Sequence, residues 1–236
     1  MNNINIRMVD NLFIDAHGIY ALNNQKVRSN VFLRQGKIDC SCMVYSFLMM
    51  LILKGKITRD DLEHRYTQNG DELVEKIRKK LIYNLNGPAK GGMTFYALAQ
   101  KVNNWNLGVQ IETITLARNH SNRAISRKQL IDYIEQNLKR GNPVQVGYCI
   151  PYDNCGHAVL AVGYSKGDEA ITIYCIDPSS ALRYGCLWNE IIEMHPNENR
   201  DRHITSRLQI LIHSAATIPS EQTYFDIPDD NTDTPF

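Results

Sequence analysis

The chain has 236 residues, 43% of them hydrophobic, which is enough to bury a sizeable core without disulfide bonds. Its 26 Lys and Arg residues balance 25 Asp and Glu residues, so no excess positive charge is available for a phosphate backbone or an anionic membrane. We therefore expect no nucleic acid partner. The apolar run from Cys42 to Leu53 is too short to cross a bilayer, and no membrane span is predicted.

The N-terminal segment, Met1 to Asp10, is polar and lacks the apolar core of a secretory signal. We expect a protein that is made in the cytoplasm and whose export, if any, needs no cleaved signal peptide. Cysteines in the cytosol stay reduced, so a cysteine with a special role is expected to be catalytic or to bind a metal. The six cysteines stand at positions 40, 42, 149, 155, 175 and 186.

One segment is predicted to form the central helix. Up to Phe32 the chain has short apolar runs without a helical period, which predict extended segments and loops. From Cys42 to Leu53 nearly every position is apolar, and Gly55 follows. This pattern predicts a helix that is buried on all sides and ends at the glycine.

Four more helices are predicted before residue 141. Two of them begin at residues that have the form of a capping box, Thr58 with Asp61 and Ser126 with Gln129. The four predicted helices cover Thr58–Tyr66, Asp71–Leu85, Met93–Trp105 and Ser126–Leu138.

After Gly141 the pattern changes to β-rich runs separated by Gly, Asp and Asn. The predicted strands cover Pro143–Ile150, His157–Tyr164, Ala170–Ile176 and Leu208–His213, with a short helix over Leu187–Met194. The strands are expected to form an antiparallel sheet on which the buried helix packs, which gives an α+β fold.

A reactive cysteine is expected at the start of the buried helix. A thiol has a pKa of about 8.5, and a helix N-terminus or a nearby imidazolium stabilises its thiolate. The segment Asp39-Cys40-Ser41-Cys42 lies at the helix entry, where Asp39 or Ser41 can cap the helix. Gln35 stands upstream, and its side-chain NH2, with the backbone N–H of the cysteine, can hold the oxyanion of a tetrahedral intermediate.

The general base has to face the cysteine from another part of the chain. His157 opens an apolar strand, and Gly156 before it leaves room for the ring. Asp177 stands where the next apolar run ends, so its carboxylate is expected across an antiparallel pair, where it orients the imidazole and stabilises its cation. The predicted catalytic residues therefore follow the order Cys, His, Asp.

These segments resemble a known family. HAVLAVGY at His157–Tyr164 is similar to the histidine strand of papain-like peptidases, and Gln35-Gly36 followed by Cys42–Ser46 resembles their nucleophile segment. The stretch from Pro143 to Asp177-Pro178-Ser179 resembles bacteriocin-processing peptidases and related bacterial cysteine hydrolases. The resemblance, which covers the catalytic segments alone, implies a papain-like fold, a Cys-His-Asp triad and Gln35 at the oxyanion hole.

Two cysteines compete for the role of nucleophile. Gln35 lies five residues before Cys40 and seven before Cys42, and the family spacing falls between the two. The small Ser46 one helical turn on favours Cys42, whereas Asp39-Cys40-Ser41 resembles the nucleophile motif of cell-wall amidases and favours Cys40. We predict Cys42 as the nucleophile and keep Cys40 as the alternative.

Zinc is the rival interpretation for Cys149, Cys155 and His157, which Cys40 or Cys42 can join. Structural zinc sites usually carry a CxxC pair, and the sequence has none. No metal and no cofactor are therefore predicted.

The first functional hypothesis is a cysteine peptidase that cleaves a protein or peptide through a thioester acyl-enzyme. The alternatives are a glutamine deamidase or transglutaminase, an amidase of cell-wall peptides, and a non-catalytic protein-binding module. The resemblance also suggests a bacterial protein, and the size of the chain and the lack of a secretory signal are compatible with a secreted effector or toxin. We expect one papain-like catalytic domain over residues 1–218 and a disordered acidic tail over residues 219–236.

Overall fold

A computed structural model describes residues 5–23, 26–36, 41–63, 71–83, 92–116, 125–151, 156–198 and 200–220. The fold is α+β, as predicted. None of the helices in these ranges is long and apolar enough to span a membrane. The predicted acidic tail lies outside the described residues except for its first two positions, and so do the last residues of two predicted helices, 64–66 and 84–85.

Four of the five helices predicted before residue 141 agree closely with the described helices, and the predicted helix Asp71–Leu85 agrees in part. The described helices are α1 (Cys42–Leu53), α2 (Arg59–Glu63), α3 (Glu72–Ile77), α4 (Phe95–Asn103) and α5 (Arg127–Lys139). The third differs from its prediction, because α3 continues into a π-helical turn over Arg78–Ile82 rather than a longer α-helix.

The described strands are β1 (Arg7–Met8), β2 (Leu12–Asp15), β3 (Gly18–Leu22), β4 (Arg28–Asn30), β5 (Glu112–Thr115), β6 (Val144–Cys149), β7 (Gly156–Lys166), β8 (Ile171–Ile176), β9 (Glu190–Met194), β10 (Asp201–His203) and β11 (Leu208–Thr217). The extended segments predicted before Phe32 are confirmed as β1 to β4. The four strands predicted after Gly141 are confirmed as β6, β7, β8 and β11.

Six strands close on themselves. The pairing runs β7-β6-β11-β10-β9-β8 and returns to β7, and each of these pairs is antiparallel. Strand β1 extends this closed sheet at the far end of β7, and β5 pairs with β11. Strands β2, β3 and β4 form a separate three-stranded sheet. Closure places β7 directly between β6 and β8, so residues of β6 and residues that follow β8 can both reach the start of β7.

Helix α1 lies in the core, as predicted. Ten of its twelve residues are buried, and it packs on β6, β7 and β3. The chain leaves the helix at Gly55, whose φ of 65° is a left-handed conformation that glycine adopts without strain. Such a helix is stable only when it is enclosed, because its side chains are apolar around the whole circumference.

Both predicted capping boxes are present. At the start of α5, the Gln129 N–H donates to Ser126 Oγ (3.2 Å) and the Ser126 N–H donates to Gln129 Oε1 (2.8 Å). At the start of α2, Asp61 N–H donates to Thr58 Oγ1 (3.2 Å) and Thr58 N–H donates to Asp61 Oδ2 (2.7 Å). Each box satisfies two backbone N–H groups that lack a partner within the helix.

The helix predicted over Leu187–Met194 is wrong, because the structure has strand β9 there. Burial along Glu190–Met194 alternates with a period of two, and the β-branched pair Ile191 and Ile192 suits a strand. Strand β9 pairs with β8 on one side and β10 on the other, so its hydrogen bonds come from residues distant in sequence. A short helix would leave the sheet open at this point.

Ser126→Ala should destabilise the protein by about 1 kcal/mol, because the change removes the oxygen that accepts the Gln129 N–H. Ser126→Asp keeps an acceptor at the same place and is the matched control, which should stay close to the parent. Urea denaturation followed by circular dichroism measures the difference. Equal stability of all three proteins would contradict a stabilising role for this box.

Candidate active site

His157 and Asp177 meet between neighbouring strands, as predicted. His157 lies near the start of β7, and Asp177 follows the last residue of the antiparallel partner β8. His157 Nε2 lies 2.8 Å from Asp177 Oδ1. Since an ionised carboxylate only accepts hydrogen bonds, Nε2 carries the hydrogen and donates it.

The Asp177 carboxylate receives further donors from the residues that follow it. The Ser179 N–H donates to Oδ1 (2.8 Å) and the Ser180 hydroxyl donates to Oδ2 (2.7 Å). The backbone of Asp177 is held by Asn189, which accepts from Asp177 N–H (2.7 Å) and donates to its carbonyl (2.9 Å). Burial opposes ionisation, but His157 and the donors of Ser180 and Ser179 lower the pKa of Asp177 to about 2.

The pKa of His157 changes in the opposite direction. Burial disfavours its cation, but the hydrogen bonds and charges of Asp177 and Cys42 raise the pKa from 6.5 to about 10. The resulting stabilisation of the folded protein is present below about pH 6.5 and is lost as the pH rises through about 10. The stabilisation of the folded protein by the Asp177 carboxylate is present above about pH 3.8 and is lost as the pH falls through about 2. The two effects are not additive, because both arise from the same contact between His157 and Asp177.

Cys42 is the first residue of α1 and is half-buried. Its side chain lies close enough to His157 to help raise the pKa of the ring. Because Asp177 occupies Nε2, the nitrogen left for Cys42 is Nδ1. The structure thus joins Cys42, His157 and Asp177 in one line of contacts that starts at a helix N-terminus.

Gln35 approaches the same place through its backbone. The Gln35 N–H donates to the carbonyl of Pro178 (2.8 Å), the residue directly after Asp177. Its side-chain oxygen Oε1 is buried. This contact ties the segment before α1 to the loop that carries Asp177.

A comparison of the sequence with models of known protein families identifies the family of this chain. The model of the Peptidase_C39 like family matches residues 23–191, which is well over half of the chain. The chain belongs to the Peptidase_C39-like family. The matched range contains Gln35, Cys42, His157 and Asp177. A search of curated proteins found no match.

Membership of the Peptidase_C39-like family confirms the resemblance to papain-like cysteine peptidases that the sequence motifs suggested. The alternative nucleophile, Cys40, lies outside the described residues, as do the capping candidate Asp39 and Cys155. Ser41 stands at the N-cap position of α1 and is buried. Within the described residues 41–53, its side chain makes no capping hydrogen bond to a backbone N–H of the first turn.

The described cysteines apart from Cys42 are Cys149, Cys175 and Cys186. Cys175 in β8 is fully buried, and burial raises the pKa of its thiol well above the ordinary value, so it stays protonated. The Cys149 thiol lies 3.9 Å from the Leu211 carbonyl. Across the ranges that the structure describes, no three His, Cys, Asp or Glu side chains are grouped as metal ligands.

Gln145 supports this site, although the sequence pattern assigned it no role. It is fully buried in β6, and its Nε2 donates to the Met43 carbonyl (2.9 Å) and to Ser46 Oγ (2.8 Å) in the first turns of α1. A signal was available in the sequence, because a glutamine between Val144 and Val146 in an apolar strand has to find polar partners.

Tyr148 is the second supporting residue that the sequence did not suggest. It lies opposite His157 in the β6–β7 pair, and the edge of one ring meets the face of the other at a centroid distance of 5.5 Å and an angle of 74°. Its other neighbour is His203, whose Nε2 lies 2.9 Å from the buried carboxylate of Glu190. Burial and the nearby carboxylates raise the pKa of Tyr148, which stays neutral.

Asp177→Ala should lower the pKa of His157 from about 10 towards 6.5, because the change removes the carboxylate that stabilises the imidazolium. NMR titration of the His157 ring protons measures the shift. His195, whose carboxylate partners are Glu193 and Glu198, is the internal reference, because the change removes neither of these partners. An unchanged His157 titration would contradict the assigned pair.

Proposed function

We propose that this member of the Peptidase_C39-like family is a cysteine peptidase that cleaves a protein or peptide through a thioester acyl-enzyme on Cys42. The observation that carries the proposal is the line of contacts from Cys42 through His157 to Asp177. A nucleophile, a base and a group that orients the base are the minimum set for this chemistry.

In the proposed mechanism, the Cys42 thiolate attacks the carbonyl carbon of the scissile bond while His157 holds the proton. The tetrahedral intermediate collapses as the imidazolium gives this proton to the leaving amine, and a thioester on Cys42 remains. A water molecule then attacks the thioester, and His157 accepts one of its protons. The product acid leaves, and the thiolate and the imidazolium are restored.

Gln35 is proposed to stabilise the oxyanion. Its side-chain NH2 and the backbone N–H of Cys42 would donate to the oxygen, and a donor of this kind contributes about 3 kcal/mol to the transition state. The hydrogen bond from the Gln35 N–H to the Pro178 carbonyl supports this proposal, because it brings the Gln35 segment next to Asp177.

The finer fold assignment belongs to the same proposal. We propose a papain-like arrangement in which α1 is the nucleophile helix and residues 1–218 form one catalytic domain. The packing of α1 on β6 and β7 supports it, because β7 carries His157 and Cys42, at the start of α1, acts on the same ring.

Cys42→Ala should abolish both turnover and the rapid reaction with iodoacetamide at neutral pH, because it removes the thiolate held by His157. Cys40→Ala is the matched control, which should keep most of both. Mass spectrometry of the alkylated peptides and a turnover assay measure the two effects. The reverse pattern would assign the nucleophile to Cys40.

The type of reaction is tested by exposing a proteome to the parent protein and to Cys42→Ala, followed by mapping of new protein N-termini. A peptidase creates N-termini that the variant does not. Conversion of glutamine to glutamate without chain cleavage would instead identify a deamidase, and crosslinked amines would identify a transglutaminase. Either result would overturn the peptidase proposal.

Gln35→Ala should reduce kcat by about 10²- to 10³-fold, because it removes one oxyanion donor. The rate of Cys42 alkylation should stay close to the parent, since this reaction forms no oxyanion. Steady-state kinetics and alkylation rates, measured on the same preparation, separate the two effects. A parallel loss of both rates would mean that Gln35 acts on the thiol or on folding and not on the oxyanion.

A further inference from the structure

The amide of Gln145 is the centre of a closed group of buried hydrogen bonds. It donates to the Met43 carbonyl and to Ser46 Oγ, and the Ser46 hydroxyl donates in turn to the same Met43 carbonyl (3.1 Å). The reverse orientation of the amide would bring two oxygens together, so the contacts determine which way it faces. Gln145 Oε1 is also buried and meets no donor among the described residues.

A buried polar group with an unsatisfied oxygen destabilises a core, so its presence needs a reason. Helix α1 supplies one. Its side chains are apolar around the whole circumference, and apolar packing has no directional preference that would set the rotation of the helix about its axis. The hydrogen bonds from Gln145 are directional and act on the turn that begins at Cys42.

Strand β6 contacts both halves of the proposed catalytic pair. Gln145 lies opposite Leu160 and reaches α1, whereas Tyr148 lies opposite His157 and packs against its ring. The two side chains are three positions apart in a strand, so they leave it on opposite faces. One strand thus supports the nucleophile from one face and the base from the other.

We propose that Gln145 is a positioning residue that sets the rotation of α1 and thereby the distance from Cys42 Sγ to His157. The proposal rests on the proposed role of Cys42 as nucleophile. A rotation of about 15° moves an atom about 4 Å from the helix axis by about 1 Å. A displacement of this size reduces the rate of an enzymatic reaction by up to about 100-fold.

The test is Gln145→Met, which keeps the length and volume of the side chain and removes both donors. The expected result is a 10- to 100-fold loss in kcat with little change in KM. The ratio of the Cys42 alkylation rate at about pH 6 to that at about pH 9 should also fall, because a thiol further from the imidazolium is less ionised at the lower pH.

Ile134→Val is the matched control. Ile134 is fully buried in α5, so the change weakens the core, and it leaves the hydrogen bonds of Gln145 with α1 in place. It should keep the parent kcat and alkylation ratio. Ser46→Ala removes one of the two acceptors and should give a smaller loss of the same kind. If Gln145→Met does not fold, Ser46→Ala decides the question by the same two measurements.

A Gln145→Met protein that melts earlier but keeps the parent kcat and alkylation ratio would overturn the positioning role and leave a purely structural one. Failure of the proposed function is a different result, because Cys42→Ala would then keep its turnover whatever Gln145→Met does.

Discussion

The need to enclose one apolar helix on every side determines the layout of this protein. Large side chains of α1 such as Phe47, Met49 and Ile52 are almost fully buried, and each contributes about 1.5–3 kcal/mol by leaving water. The closed sheet covers one side through β6 and β7, and the N-terminal sheet reaches it through β3. In α1 only Cys42 and Tyr45 are less than buried, so the helix reaches the surface at its first turns.

Closure of the sheet explains why the site lies where it does. Strand β7 pairs with β6 over its first half and with β8 over its second, so Tyr148 and Asp177 approach His157 from opposite sides. Closing the ring also pairs most of the strand edges that would otherwise be open, and β1 and β5 pair along parts of β7 and β11 that the ring leaves uncovered. The end of the closed sheet that carries His157 also holds His203 and the buried carboxylate of Glu190, so polar side chains pack together there.

Local signals predicted much of this structure from the sequence. The unbroken apolar run identified α1, the residues around Ser126 identified the start of α5, and a β-rich apolar run between turn residues identified β7. His157 and Asp177 were predicted to meet because each follows from its place on an antiparallel pair. These features depend on neighbours in sequence, which pattern and spacing report directly.

The features that were missed depend on partners distant in sequence. Strand β9 is a strand because β8 and β10 pair with it, and a short apolar segment alone does not distinguish a helix from a strand. The contact of Gln145 with Met43 spans 102 positions, so the local pattern shows that Gln145 needs a polar partner but not which residue supplies it. The π-helical turn after α3 is a similar case, since its sequence, RKKLI, continues a helical pattern.

The charge on Asp177 has a consequence for the order of proton transfers in the proposed mechanism. With a pKa of about 10, His157 is already an imidazolium at neutral pH before substrate binds. In the proposed mechanism its first task is therefore to give a proton to the leaving amine. A neutral asparagine in place of Asp177 would accept the same hydrogen bond but stabilise the cation less, because the carboxylate adds its charge to the contact. The carboxylate is itself kept ionised by Ser179, Ser180 and His157 despite its burial, so the proton stays on the ring.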